Sequence, residues 1–168
     1  EAPRFGSSVR PGFSTDSKWA AFFVYPGSKE TASLRKDRKR IATTAVLVEL
    51  ATGEKTEFEK VRAAAFSGEN PGFVALHRYA PESQEKEKDK WTGSDLLLRE
   101  LGTGKEVNIG NVAEYAFDKM GGRLALVIDA QGQAGNGLQL RDMAKGTVVS
   151  LDNDKAAYKS LAWTERGE

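Results

Sequence analysis

The sequence predicts an all-β protein: a β-propeller segment of about three four-stranded antiparallel blades plus the start of a fourth. Three observations lead there. A short apolar strand ending in an aromatic, a polar turn and a second apolar strand recur through the 168 residues. The aromatics Phe13, Phe66, Phe117 and Trp163 are spaced by 53, 51 and 46 residues, close to the ~40–50 of propeller blades. A second hairpin, closed by glycine, follows in every complete unit. A four-stranded unit of this kind cannot bury both faces alone and packs face to face with its neighbours. A β-sandwich also has evenly spaced strands, but it does not normally repeat its turn chemistry at fixed offsets.

The first hairpin of each unit reads Phe13-Ser-Thr-Asp-Ser-Lys-Trp-Ala-Ala-Phe-Phe-Val24, Ala65-Phe-Ser-Gly-Glu-Asn-Pro-Gly-Phe-Val-Ala-Leu76 and Ala116-Phe-Asp-Lys-Met-Gly-Gly-Arg-Leu-Ala-Leu-Val127. The second reads Val46-Leu-Val-Glu-Leu-Ala-Thr-Gly53, Leu97-Leu-Arg-Glu-Leu-Gly-Thr-Gly104 and Gln139-Leu-Arg-Asp-Met-Ala-Lys-Gly146. Here an acidic residue between aliphatics precedes a glycine that reaches positive φ without steric cost. Units are expected at about 9–60, 61–111 and 112–157, with the next starting over 158–168. Leu161-Ala-Trp-Thr-Glu-Arg-Gly167 matches Tyr115-Ala-Phe-Asp-Lys-Met-Gly121, so the chain is expected to be a segment of a longer protein. The first two units carry insertions between their second and third strands, Pro26 to Thr44 and Ala80 to Ser94. A short helix is expected across 31–40, and both insertions should lie side by side on one face, where a partner domain would dock. Trp19, Phe22, Phe66, Phe73, Phe117 and Trp163 are expected as core wedges between blades, and Trp91 as an exposed residue or a loop anchor.

Composition narrows the chemistry. With 25 Lys+Arg against 24 Asp+Glu there is no surplus for a general polyanion binder. The insertion bearing Lys29, Arg35, Lys36, Arg38, Lys39 and Arg40 is locally basic, but without interleaved aromatics it reads as a solvated loop rather than a nucleic-acid surface. The second insertion alternates in sign from Glu82 to Lys90. The absence of cysteine removes disulfides, thiolate catalysis and cysteine-ligated zinc, and no apolar run is long enough to span a membrane.

No catalytic, cofactor-binding or metal-binding residue is assigned. Gly12-Phe-Ser14 begins a nucleophile elbow, but Asp16 stands at the second glycine, and Ser14 belongs to a hairpin turn. His77, the one histidine, lies on a strand and reads as structural. Asp152-Asn-Asp154 has the opening spacing of a calcium loop, but Ala156 stands at the third ligand, so a polar turn is the better account. Gly102-Thr-Gly104-Lys105 faintly suggests a phosphate loop, and the repeat explains it as a hairpin turn.

With these residues in view, the chain resembles the N-terminal propeller of bacterial serine peptidases of the prolyl oligopeptidase family. The likeness lies in Phe13 to Phe22, in the Leu-Ala-Thr-Gly type hairpins near 50 and 101, in Gly104-Lys-Glu-Val-Asn-Ile-Gly-Asn-Val-Ala-Glu-Tyr-Ala-Phe117, and in Ala134-Gly-Asn-Gly-Leu-Gln-Leu140. The resemblance implies a parent that cleaves peptide bonds with a Ser-Asp-His triad on a C-terminal α/β-hydrolase domain outside these residues. The propeller would scaffold that domain and gate access of short peptides to it. Some relatives hold the substrate amino terminus through propeller carboxylates, and no motif here marks which Asp or Glu would do so. A periplasmic or secreted location is what the resemblance favours. The turn motifs are shared with Tol-system propellers, so a protein-interaction propeller without a peptidase partner is the alternative. The partners expected are the rest of the parent polypeptide, its peptide substrate and a second copy of the chain.

Overall fold

The computed structural model describes residues 12–82 and 91–164. The expected start of the first unit at 9, the middle of the second insertion and the turn at Glu165-Arg-Gly167 lie outside the described residues. Eleven strands run in chain order: β1 (Gly12–Phe13), β2 (Trp19–Val24), β3 (Thr44–Glu49), β4 (Lys55–Phe58), β5 (Val61–Phe66), β6 (Phe73–Arg78), β7 (Ser94–Glu100), β8 (Glu106–Phe117), β9 (Arg123–Ile128), β10 (Gly137–Asp142) and β11 (Val148–Asn153). All pairs are antiparallel. One sheet has the order β1-β2-β3-β4 and the other β11-β10-β9-β8-β7-β6-β5.

The seven-stranded sheet joins two units through one strand. The N-terminal part of β8 pairs with β7, and its C-terminal part pairs with β9. Between them Asn111 takes φ 57° and Val112 is fully buried. Lys60 holds the same φ of 57° at the same repeat position, ahead of the fully buried Val61. There the strand breaks, into β4 and β5, whereas at Asn111 it bends and continues.

The hairpin chemistry repeats three times. In the first hairpins Ser14, Ser67 and Asp118 each donate a backbone N–H across the turn, to the carbonyls of Trp19, Phe73 and Arg123. Their side-chain oxygens accept the returning N–H groups of the same partners. In the second hairpins Glu49, Glu100 and Asp142 accept from the N–H of Gly53, Gly104 and Gly146. The three glycines sit at φ 74°, 71° and 69°, in the left-handed region that favours glycine. The expected turn over Gly102 to Lys105 is this hairpin, tied by Thr103 Oγ1 to Glu100 Oε2 at 2.5 Å.

Strand alternation divides the core in two. Ala21, Ala45, Leu47 and Phe58 of the first unit meet Val61, Val74, Leu76 and Leu97 of the second. The opposite face of the second unit, with Ala75, Leu96 and Leu98, meets Leu124, Leu126, Ile128 and Met143. The middle unit is thus buried on both faces, each fully buried Leu or Val contributing about 1.5–3 kcal/mol. Trp19 and Phe66 pack on the first core, and Phe73 and Phe117 on the second. Phe22 does not act as a wedge: alternation turns it away from Ala21 and Phe23, and it is 36% exposed. Trp163 is half-buried and donates its indole N–H to the Ala116 carbonyl at 3.0 Å.

The helix α1 (Ser28–Lys36) starts and ends earlier than the sequence suggests. It stops because Arg38 takes φ 52° and the Lys39 N–H bonds back to the Leu34 carbonyl at 2.8 Å. No residue of α1 is buried. No helix among the described residues is long and apolar enough to cross a membrane.

Candidate functional site

The described parts of the two insertions meet. Each insertion starts at the end of its hairpin opposite the first turn, so the topology carries both to the same rim of the sheets. Leu34 and Arg40 from the first, and Ala80, Pro81, Glu82 and Trp91 from the second, line a pocket of about 750 Å³. Arg40 donates to the Ala80 carbonyl and its guanidinium lies 5.4 Å from the centre of the Tyr79 ring. Trp91 is half-buried and forms part of the pocket wall.

Beside this pocket lies a buried polar network. His77, 3% exposed, directs Nε2 to the Val112 carbonyl at 2.8 Å and to Ser94 Oγ at 3.0 Å. Ser94 donates its hydroxyl to the Arg78 carbonyl at 2.8 Å. The Arg62 guanidinium stands 3.2 Å from Nδ1 and 3.3 Å from Nε2, and the Tyr115 ring stands edge-on to the imidazole at 5.4 Å. These bonds assign the proton to Nε2 and leave Nδ1 as the acceptor. Burial, then the neighbouring Arg62 charge, push the imidazole down to about 4, opposed by the bond to Val112. Burial likewise pushes the Tyr115 phenol up to about 12 and lowers Arg62.

A serine beside a histidine invites comparison with a nucleophile and its base, and the wiring here runs the other way. A catalytic serine gives its proton to the imidazole, and a carboxylate orients the far ring nitrogen. Ser94 instead donates to a backbone carbonyl, and the charged group beside the ring is a guanidinium, not a carboxylate. The arrangement binds one unit to the next. Thr43 Oγ1 donates to the Val61 carbonyl at 2.5 Å, His77 to Val112, and Asn136 Nδ2 to Ala156 at 3.0 Å. Thr43 and His77 thereby hold the backbone at the start of the following unit, and Asn136 holds the segment that leaves β11 at the end of its own. Thr43, Ser94 and Asn136 share one repeat position and are all buried. A small polar residue at the head of the third strand, at a constant offset from the hairpin glycine, is the sequence signal for them.

The other sequence candidates lie apart from this network. Ser14 is 2% exposed and its hydroxyl donates to Asp16 Oδ1 at 2.6 Å. Asp152 lies within β11, not in a turn, and accepts from the Tyr158 hydroxyl at 3.1 Å, while Asp154 accepts the Lys155 N–H. Among the described residues no group of three or more His, Asp or Glu could hold a metal ion.

No family model matches the chain, and no curated protein matches it. Among solved structures, the β-propeller domain of the trilobed protease from Pyrococcus furiosus, described as having an open velcro topology, superposes with a TM-score of 0.52 at 12% identity. That match covers 86% of this chain and 41% of the other, so the chain spans about two-fifths of that domain's length. The acylaminoacyl peptidase of Pyrococcus horikoshii matches with a TM-score of 0.49 at 13% identity, over 84% of this chain and 24% of that one. An acylaminoacyl peptidase in complex with Z-Gly-Gly-Phe-chloromethyl ketone matches with a TM-score of 0.47 at 13% identity, over 79% and 23%. The antiparallel repeat units, packed face to face and superposing on a known propeller, give this chain the β-propeller fold.

Proposed function

We propose that the chain is the non-catalytic propeller portion of a serine peptidase of the prolyl oligopeptidase type, gating substrate access to and scaffolding an α/β-hydrolase domain of the same parent polypeptide. The observation that carries this reading is the fold shared with the propeller domain of a protease. It is supported by the motif resemblance of the turns and by the His77–Ser94 pair, whose hydrogen bonds go to the Val112 carbonyl of the next blade and the Arg78 carbonyl of their own and not toward a reacting atom. The rim where the insertions meet is where a hydrolase domain would dock.

The test is to express this chain and the whole polypeptide encoded by its reading frame, and to assay both on short chromogenic peptides. The chain alone should show no hydrolysis above blank, and the whole polypeptide should cleave. A whole polypeptide with further blades, no hydrolase domain and no peptidase activity would establish the interaction-scaffold alternative instead.

A further inference from the structure

Arg78 ends β6 in the wall of the pocket between the insertions, and its side chain makes no hydrogen bond or ion pair with any described residue. Its Nε is buried with no acceptor among the described residues, a state shared by Arg62, Arg99 and Arg141. What sets Arg78 apart is its place in the pocket wall, where a guanidinium without an anionic partner among the described residues leaves a charged donor for an acceptor in the cavity. Lys60 lines the same pocket from an exposed position and enters no ion pair with a described residue. Arg40, by contrast, is already engaged with Ala80 and Tyr79.

The remaining walls decide what kind of anion fits. Glu82 and Asp95 also line the pocket, but neither pairs with Arg78 or Lys60. Leu34, Ala42, Pro81 and the rings of Tyr79 and Trp91 supply apolar surface. A volume of about 750 Å³ is of the size that encloses a small organic ligand. A planar guanidinium pairs best with a planar carboxylate, through two parallel N–H bonds.

We propose that this pocket binds a carboxylate carried on an apolar or aromatic body of up to dipeptide size. Arg78 takes both carboxylate oxygens, Lys60 adds charge from the rim, and Trp91 with Tyr79 covers the apolar part. The proposal stands whether or not the chain belongs to a peptidase.

Amide chemical shifts of the chain, followed by NMR during titration with N-acetyl-phenylalanine, its carboxamide and inorganic phosphate, provide the test. The acid should saturate residues around Lys60, Arg78 and Trp91, and the carboxamide should bind at least tenfold more weakly. Phosphate, which lacks the apolar body, should also bind at least tenfold more weakly. Arg78→Gln should weaken the acid at least tenfold. Lys60→Asn should weaken it about threefold without disturbing the backbone, because Asn111 already holds the same φ at the same repeat position. Should Arg78→Gln fail to fold, Lys60→Asn and the carboxamide still decide. Equal binding of acid and carboxamide, phosphate binding as tightly as the acid, or acid affinity unchanged in the folded variants would each overturn the proposal.

Discussion

At the residue scale, His77 makes blade-to-blade contact sensitive to pH, and the direction follows from its environment. The ring is buried beside the Arg62 charge, which together hold its pKa near 4 against 6.5 for an ordinary histidine. The unfolded chain therefore binds a proton that the folded chain refuses across that interval. Stability from this group is fully present above pH 6.5 and declines as pH falls toward 4, by a total of about 3 kcal/mol. His77→Gln keeps an N–H donor for the Val112 carbonyl and removes the titration. Urea unfolding from pH 7 to pH 4 should show wild type losing about 3 kcal/mol more than the variant; parallel losses would mean that His77 does not titrate as its burial requires. The same residue shows what the sequence could convey. A strand position suggested a structural role, but the Val112 carbonyl that it satisfies lies in the next unit, and pairing across units depends on tertiary placement.

At the scale of elements, the first-hairpin turns of successive blades rest on one another. Thr15 Oγ1 donates to the Glu69 carbonyl at 2.9 Å, and the Glu69 N–H donates to the Lys119 carbonyl at 2.8 Å. A Cβ on Gly121, at φ 76°, would lie less than 3.0 Å from the Ser67 carbonyl oxygen, and one on Gly68 would be equally close to that of Lys119. Gly53 has a similar φ of 74° and nothing within 4 Å. Gly53→Ala should therefore cost only the left-handed penalty of about 1–2 kcal/mol. Gly121→Ala adds a backbone clash and should cost about 2–4 kcal/mol in thermal or urea unfolding. Equal costs would show that the turns do not bear on one another. These turns were legible because glycine and acidic residues mark them locally. The fusion of two blades through β8 was not, since Gly110-Asn111 carries the composition of a turn while the backbone bends there without leaving the sheet. Likewise Phe22 and Phe23 are indistinguishable by type, and only the register of β2 decides that Phe23 faces the core.

At the scale of the whole molecule, the middle blade has neighbours on both faces and the outer two do not. Phe13 and Val24 of the first blade are 71% and 46% exposed, and Val148, Val149 and Leu151 of the third are 47%, 58% and 54% exposed. β11 is also the edge of the larger sheet, with backbone groups available to a further strand. Apolar side chains on an unpaired edge gain by being covered, at about 25 cal/mol per Å² of apolar surface removed from water. The repeat pattern foretold these faces, because a blade's two apolar sides are encoded whether or not a neighbour is present to bury them. The chain alone is expected to self-associate, with a mass by light scattering that rises with concentration. Val149→Lys with Leu151→Lys places charges on exposed positions of β11, so it should leave the fold intact and lower the association. A wild-type chain that stays monomeric as concentration rises would sink this expectation. So would association unaffected by the double substitution, which would move the contact surface away from β11.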